Sequence, residues 1–152
     1  MKPPVDAPEQ LGEPLDLSVV DVSFISLKIV LPVIKTFLKE KSGQVLCLIK
    51  PQFEAGKEKV GKKGVVRDPA VHKEVLDDFV ALTNEIGFKI LGLTFSPVRG
   101  PEGNIEFLAH LTLADTVSVE PDTEAVGSWK TVLPSSSGRT RLTLPRSWSS
   151  TR

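Results

Sequence analysis

The chain has 152 residues, zero formal net charge, 40% hydrophobic and 25% charged residues, the balance of one soluble globular domain with a modest core. Zero net charge excludes global attraction to a polyanion, so any affinity for nucleic acid must arise from local clustering. A single cysteine, Cys47, excludes an internal disulfide and a cysteine-based metal site, and inside an apolar run it reads as a small buried hydrophobe.

Residues 1 to 14 are rich in proline and acidic groups and read as an extended lead-in without the apolar core of a signal peptide. No run approaches the roughly twenty apolar residues that cross a bilayer. The expected compartment is therefore the cytoplasm. Leu15 to Val22 follows as a strand, its Leu17, Val19, Val20 and Val22 suggesting cover on both faces. Phe24, Leu27, Val30, Leu31, Ile34 and Leu38 then recur at helical spacing up to Ser42-Gly43. Pro32 inside that pattern implies either a kink or a helix that restarts there.

Gln44 to Ile49 reads as a second buried strand, and Pro51 to Val66 as a long connection too polar and glycine-rich to be regular throughout. Asp68 is a plausible N-cap with Pro69 in the first turn. Val71, Val75, Leu76, Phe79, Leu82 and Ile86 mark the buried side of a helix that Gly87 ends. Phe88 to Phe95 is a third strand, Ser96 to Asn104 a turn-rich loop, and Ile105 to Leu113 a fourth strand. That last connection is too short for a crossover, so a final antiparallel pairing is expected on an otherwise mostly parallel α/β sheet. From Ala114 to Arg152 the pattern dissolves into serine-rich and acidic segments, read as a disordered tail.

Three ionisable residues stand at the ends of these apolar runs: Asp21, Lys50 and Glu106. In open α/β sheets, strand ends are where ligands bind. The strings around them are Asp21-Val22-Ser23-Phe24-Ile25-Ser26-Leu27, Lys50-Pro51-Gln52-Phe53-Glu54-Ala55-Gly56, Gly64-Val65-Val66-Arg67-Asp68-Pro69, Ser96-Pro97 with Gly100-Pro101-Glu102-Gly103-Asn104, and Glu106-Phe107-Leu108. In this order they resemble the catalytic part of the FtsJ-like ribosomal RNA 2′-O-methyltransferases, most closely the hemolysin A (TlyA) branch, over about Glu9 to Leu113.

The resemblance implies a Rossmann-like S-adenosylmethionine-dependent methyltransferase fold of which residues 15 to 113 supply the C-terminal half. It implies catalytic roles for Asp21, Lys50 and Glu106, and cofactor contacts from Asp21, Val22 and Phe24. Methylation of a ribose hydroxyl needs the hydroxyl proton removed, and positioned acid-base groups contribute on the order of 10² to 10⁴ in rate. Lys50 could act as the base, or stay cationic and stabilise the developing alkoxide while a carboxylate or water takes the proton.

The connection from Lys50 to Arg67 carries Lys50, Lys57, Lys59, Lys62, Lys63 and Arg67 against Glu54 and Glu58. Such a loop suits phosphate contacts with RNA, although basic loops are often merely solvated. By resemblance, Ser96, Arg99 and Asn104 are further candidates for RNA contact, with ordinary turn chemistry as the plainer reading. Phe24, Phe53 and Phe107 could stack on a base or on the cofactor's adenine, or simply pack in the core. His72 and His110 have no companion at metal-ligand spacing, so no metal is expected.

The family's glycine-rich cofactor turn, its acidic ribose-binding position and the S4-like RNA-binding domain of the hemolysin A branch have no counterpart in this sequence. The expectation is a truncated methyltransferase domain with an exposed strand edge at Leu15 to Val22. Two other readings stay open: a noncatalytic RNA-binding module, and one half of a split enzyme completed by a second chain.

Overall fold

The computed structural model describes residues 11–128. Four strands form one sheet in the order β1-β2-β4-β3: β1 Leu17–Val20, β2 Gln44–Ile49, β3 Lys89–Phe95 and β4 Phe107–Thr112. The pairing of β1 with β2 is parallel, whereas β4 pairs antiparallel with β2 and with β3. This corrects the expectation of a mostly parallel sheet. β4 does not close the edge beside β3 alone but inserts between β2 and β3, and one reversed strand in that place makes two antiparallel ladders.

Among the described residues four α-helices accompany the sheet: α1 Leu27–Phe37, the short α2 Pro51–Glu54, α3 Pro69–Ile86 and the short α4 Thr123–Gly127. α1 continues through Pro32 without restarting, and Ser26 caps it by accepting the Lys28 N–H at 3.1 Å. α3 begins and ends as its sequence predicts. Asp68 accepts the Ala70 N–H at 2.9 Å, Pro69 sits in the first turn, and Gly87 closes the helix at φ +90°, a left-handed conformation that side chains with a Cβ resist.

At the centre of the sheet one face is fully covered. Val45, Cys47 and Ile49 on β2 lie opposite Leu111, Ala109 and Phe107 on β4, and all six are 0% exposed. Leu27 and Leu31 of α1 and Val75, Leu76 and Phe79 of α3 belong to the same core cluster. Burial raises the Cys47 thiol to about 12, so it remains protonated and acts as a packing group. The other face is thinner: Leu46, Leu48 and Leu108 are half-buried, and Val19 of β1 is 72% exposed. The expected two-sided cover of the first strand is thus not met among the described residues. Apolar alternation cannot tell a strand buried on both faces from one with an open apolar face.

The expected disordered tail also begins too early. Ser118 Oγ accepts the Ile90 N–H at 2.9 Å, the Val119 N–H reaches the Ile90 carbonyl at 2.8 Å, and α4 buries Thr123 and Gly127. These bonds run along the outer edge of β3. Residues 129–152, the rest of that tail, and residues 1–10 of the lead-in lie outside the described residues.

Asn104 holds two loops together from a buried position, 3% exposed. Its Oδ1 accepts the Val66 N–H at 3.0 Å, while Nδ2 donates to the carbonyls of Gly64 at 3.0 Å and Pro101 at 3.1 Å. Asn104→Ala leaves a buried N–H and two carbonyls without those partners, and is expected to lower unfolding free energy by about 2 to 3 kcal/mol. Urea denaturation of the two chains checks this.

Candidate active site at the strand ends

β1 and β2 run the same way in register, Val20 opposite Cys47. Their C-terminal ends therefore emerge at the same edge of the sheet. β4 runs the other way, so its beginning reaches that edge too, with Phe107 opposite Ile49. Asp21 follows β1, Lys50 follows β2 and Glu106 precedes β4. Residues 21, 50 and 106 are thereby brought together by topology.

Lys50 Nζ lies 2.5 Å from Asp21 Oδ1 and donates to Ser23 Oγ at 3.3 Å. The lysine side chain is 11% exposed and the aspartate 62%, so the pair has one buried and one solvated partner. Glu106 is 7% exposed and its Oε2 has no hydrogen-bond partner. Burial raises its carboxyl above the ordinary range; Lys50 opposes the shift, the Asp21 charge adds to it, and the Gln52 amide opposes it. Gln52 is near enough to act on the carboxylate, yet its Nε2 and Oε1 are both buried without a partner in hydrogen-bonding geometry. A Cβ built on Gly100 would fall 2.7 Å from the Glu106 carboxyl carbon, so a side chain at position 100 would displace the Glu106 carboxyl from where it lies.

A second set of contacts fastens the loop after β1 to α2. Glu54 accepts the Ser26 hydroxyl at 2.7 Å and the Leu27 N–H at 2.9 Å, at the start of α1. Burial raises the Glu54 carboxyl above the ordinary range, against those two hydrogen bonds and the charge of Lys28. Between these anchors Phe24 has φ +64° and is 89% exposed, its ring 4.8 Å from that of Phe53. Phe107, by contrast, is a core residue against His72. Val22 is half-buried and packs on the core.

The candidate RNA residues divide by geometry. Lys57, Lys62, Lys63 and Arg67 are exposed on the loop between α2 and α3, which folds into two short turns, Lys57–Lys59 and Lys62–Gly64. Lys59, also exposed, forms an ion pair with Glu74. Arg99 is exposed; Ser96 Oγ accepts the Val98 N–H at 3.2 Å, a turn bond, and Asn104 is committed to the backbone as described above. Ser23, Gln52 and Glu54 belong to the site without any local signal in the sequence: the partners of Ser23 and Glu54 lie 27 or more positions away, and Gln52 approaches Glu106 only through the fold.

A model of the family described as FtsJ-like methyltransferase matches residues 2–113. The "Putative rRNA methyltransferase YqxC" of Bacillus subtilis is 52% identical over 96 residues, 63% of this chain and 34% of that protein. The 16S/23S rRNA (cytidine-2′-O)-methyltransferase TlyA of Mycobacterium tuberculosis is 39% identical over 104 residues, 68% of this chain and 38% of that protein. Among solved structures, a "Putative hemolysin from Streptococcus thermophilus" superposes with TM-score 0.72 at 41% identity, covering 78% of this chain and 43% of the other. The chain thus spans about a third of the length of the curated relatives it matches. With its strand-end residues 21, 50 and 106 all inside the matched span, the chain belongs to the FtsJ-like methyltransferase family.

Proposed function

We propose that this chain carries the acid-base portion of an RNA 2′-O-ribose methyltransferase of the hemolysin A type, acting on ribosomal RNA in the cytoplasm. The observation that carries this reading is the meeting of Asp21, Lys50 and Glu106 at one edge of the sheet, with one ion pair made and one buried carboxylate oxygen uncommitted. No helix among the described residues is long and apolar enough to cross a membrane.

In this reading Asp21 holds the Lys50 ammonium at the strand end, and Lys50 orients the ribose hydroxyl and stabilises negative charge growing on its oxygen. Glu106 takes the hydroxyl proton. Its raised affinity for a proton suits it to that task better than an ordinary surface carboxylate. Of the two roles open to Lys50, the 2.5 Å pairing with Asp21 favours the cationic one.

S-adenosylmethionine, the family's methyl donor, supplies an activated methyl group when bound. The described residues fit it in part. Asp21, Val22 and Phe24 offer one open wall, and with Asp21 62% and Phe24 89% exposed that wall does not enclose a nucleoside. The hollow lined by Leu27, Ile49, Glu54, Val75 and Phe79 holds about 20 Å³, room for little more than a water. This open wall, together with the exposed cations of residues 57–67, is what favours the second reading, a noncatalytic RNA-binding module.

Calorimetry with S-adenosylmethionine, alone and with ribosomal RNA, tests the two readings. Binding accompanied by methyl transfer sinks the noncatalytic reading; RNA binding with no cofactor binding under either condition sinks autonomous catalysis. Lys50→Ala is expected to abolish methyl transfer while changing RNA affinity less than about twofold, and unchanged turnover would remove Lys50 from the mechanism.

The sign of the Glu106 shift gives a further prediction. The folded chain holds this proton more tightly than the unfolded chain, so stability falls as pH rises from the ordinary carboxylate range through the raised value. Glu106→Gln is therefore expected to be at least as stable as the parent at neutral pH, with the gap closing as the solution is made acidic. Thermal unfolding across that range measures it, and a variant that loses stability only at neutral pH would contradict the assignment.

A further inference from the structure

α1 does not need Glu54 in order to begin. Ser26 already caps it through the Lys28 N–H, the usual local device. A second acceptor nevertheless arrives from 27 and 28 positions away: one Glu54 oxygen takes the Leu27 N–H at 2.9 Å and the other the Ser26 hydroxyl at 2.7 Å. Burial raises this carboxyl against those two bonds, so holding its charged form there costs the fold desolvation energy. Leu27, Ile49 and Phe79, which line the hollow beside it, offer a carboxylate nothing in return. Starting a helix does not account for that cost.

What Glu54 adds is a connection between two segments. Residues 50–54 form one tight turn, closed by the Phe53 N–H on the Lys50 carbonyl at 2.9 Å and the Ala55 N–H on the Pro51 carbonyl at 2.8 Å. Lys50 stands at one end of this turn and Glu54 at the other. Each holds one end of the loop that follows β1: Lys50 holds Asp21 and Ser23, and Glu54 holds Ser26 and Leu27. The two anchors are unequal. Asp21 is 62% exposed, and an ion pair with a solvated partner is a weak fastening by itself; Ser23 adds one bond of 3.3 Å. Between the anchors residue 24 sits at φ +64°, a strained conformation that a loop held at one end would relax. The firmer anchor is the one farther from the ammonium.

We propose that Glu54 is a positioning residue: by pinning the start of α1 to the turn that carries Lys50, it keeps Asp21 and Ser23 on the Lys50 ammonium. Glu54 acts through the loop and not on the reacting atoms. Its effect on methyl transfer rests on the acid-base reading proposed above, whereas its effect on the ion pair does not.

The test follows the Lys50 ammonium, whose protons exchange with water slowly while hydrogen-bonded and fast once released. Nitrogen-15 NMR of the 152-residue chain measures that rate in the parent, in Glu54→Ala, Glu54→Asp and Glu54→Gln, and in two references. Asp21→Asn shows the rate when the pair is lost. Asp68→Ala removes the cap of α3, a comparable loss of stability away from the pair. Glu54→Ala is expected to speed exchange by about tenfold or more, the effect of losing one charge-assisted contact. Glu54→Asp, with its charge on a stem one methylene shorter, does the same and carries the test should Glu54→Ala fail to fold. Glu54→Gln keeps a carbonyl for the Leu27 N–H and stays within about threefold of the parent. Asp68→Ala lowers the unfolding midpoint and leaves the Lys50 rate unchanged.

Parental exchange in both Glu54→Ala and Glu54→Asp overturns the proposal, as does equal acceleration by Asp68→Ala, which would mark general loosening. A parent whose Lys50 protons exchange as fast as those of free lysine, or no acceleration in Asp21→Asn, also overturns it. In a methyl-transfer assay Glu54→Ala lowers kcat and leaves RNA affinity unchanged; an unchanged kcat removes Glu54 from the reaction. If the parent shows no turnover while exchange responds as expected, the acid-base reading fails and the positioning of the ion pair stands.

Discussion

Parallel pairing of β1 with β2 is the constraint on which the candidate site depends. Two strands that run the same way deliver their next residues to the same edge, and the register Leu17 to Gln44 through Val20 to Cys47 fixes how far apart those residues start. Antiparallel β4 adds the complementary contribution from its opposite end. Shifting β1 by one residue would exchange buried Val20 for exposed Val19 and turn the following loop to the other face. The fully buried ladder of Val45, Cys47 and Ile49 against Leu111, Ala109 and Phe107 keeps β2 and β4 in place, and β1 takes its register from β2.

The site concentrates features that weaken a fold. A lysine is largely removed from water, two carboxyls are desolvated, a glutamine amide lacks partners, and a phenylalanine is held left-handed. Each is a local cost that the core beneath must offset. Their confinement to one edge, with well-packed apolar ladders behind it, is the distribution expected where binding or chemistry takes precedence over stability.

The ends of α3 and the identities of the strands were legible in the sequence because they follow from short-range chemistry. Asp68, Pro69 and Gly87 mark α3 without any tertiary information. The strings around Asp21, Lys50 and Glu106 likewise pointed to one site, through resemblance. What escaped were long-range choices. The insertion of β4 between β2 and β3 depends on which ladder buries Phe107, Ala109 and Leu111, and the strands' own composition fits either order. Asn104 looked like turn chemistry or an RNA contact, and its partners at Gly64 and Val66 lie about forty positions away. Periodicity also gave no warning that Phe24, apparently on a helix's apolar stripe, would precede the helix and face solvent.

The Asn104 clamp also has a mechanical meaning. It joins the end of the lysine-bearing loop, through Gly64 and Val66, to the turn at Pro101, and Glu106 follows Asn104 by only two residues, with Gly100 lying against its carboxylate. A force on the loop must either rupture the two hydrogen bonds that tie Val66 and Gly64 to Asn104 or carry the turn before Glu106 along with it. Contact far from the ion pair is thereby geared to the placement of the buried acid.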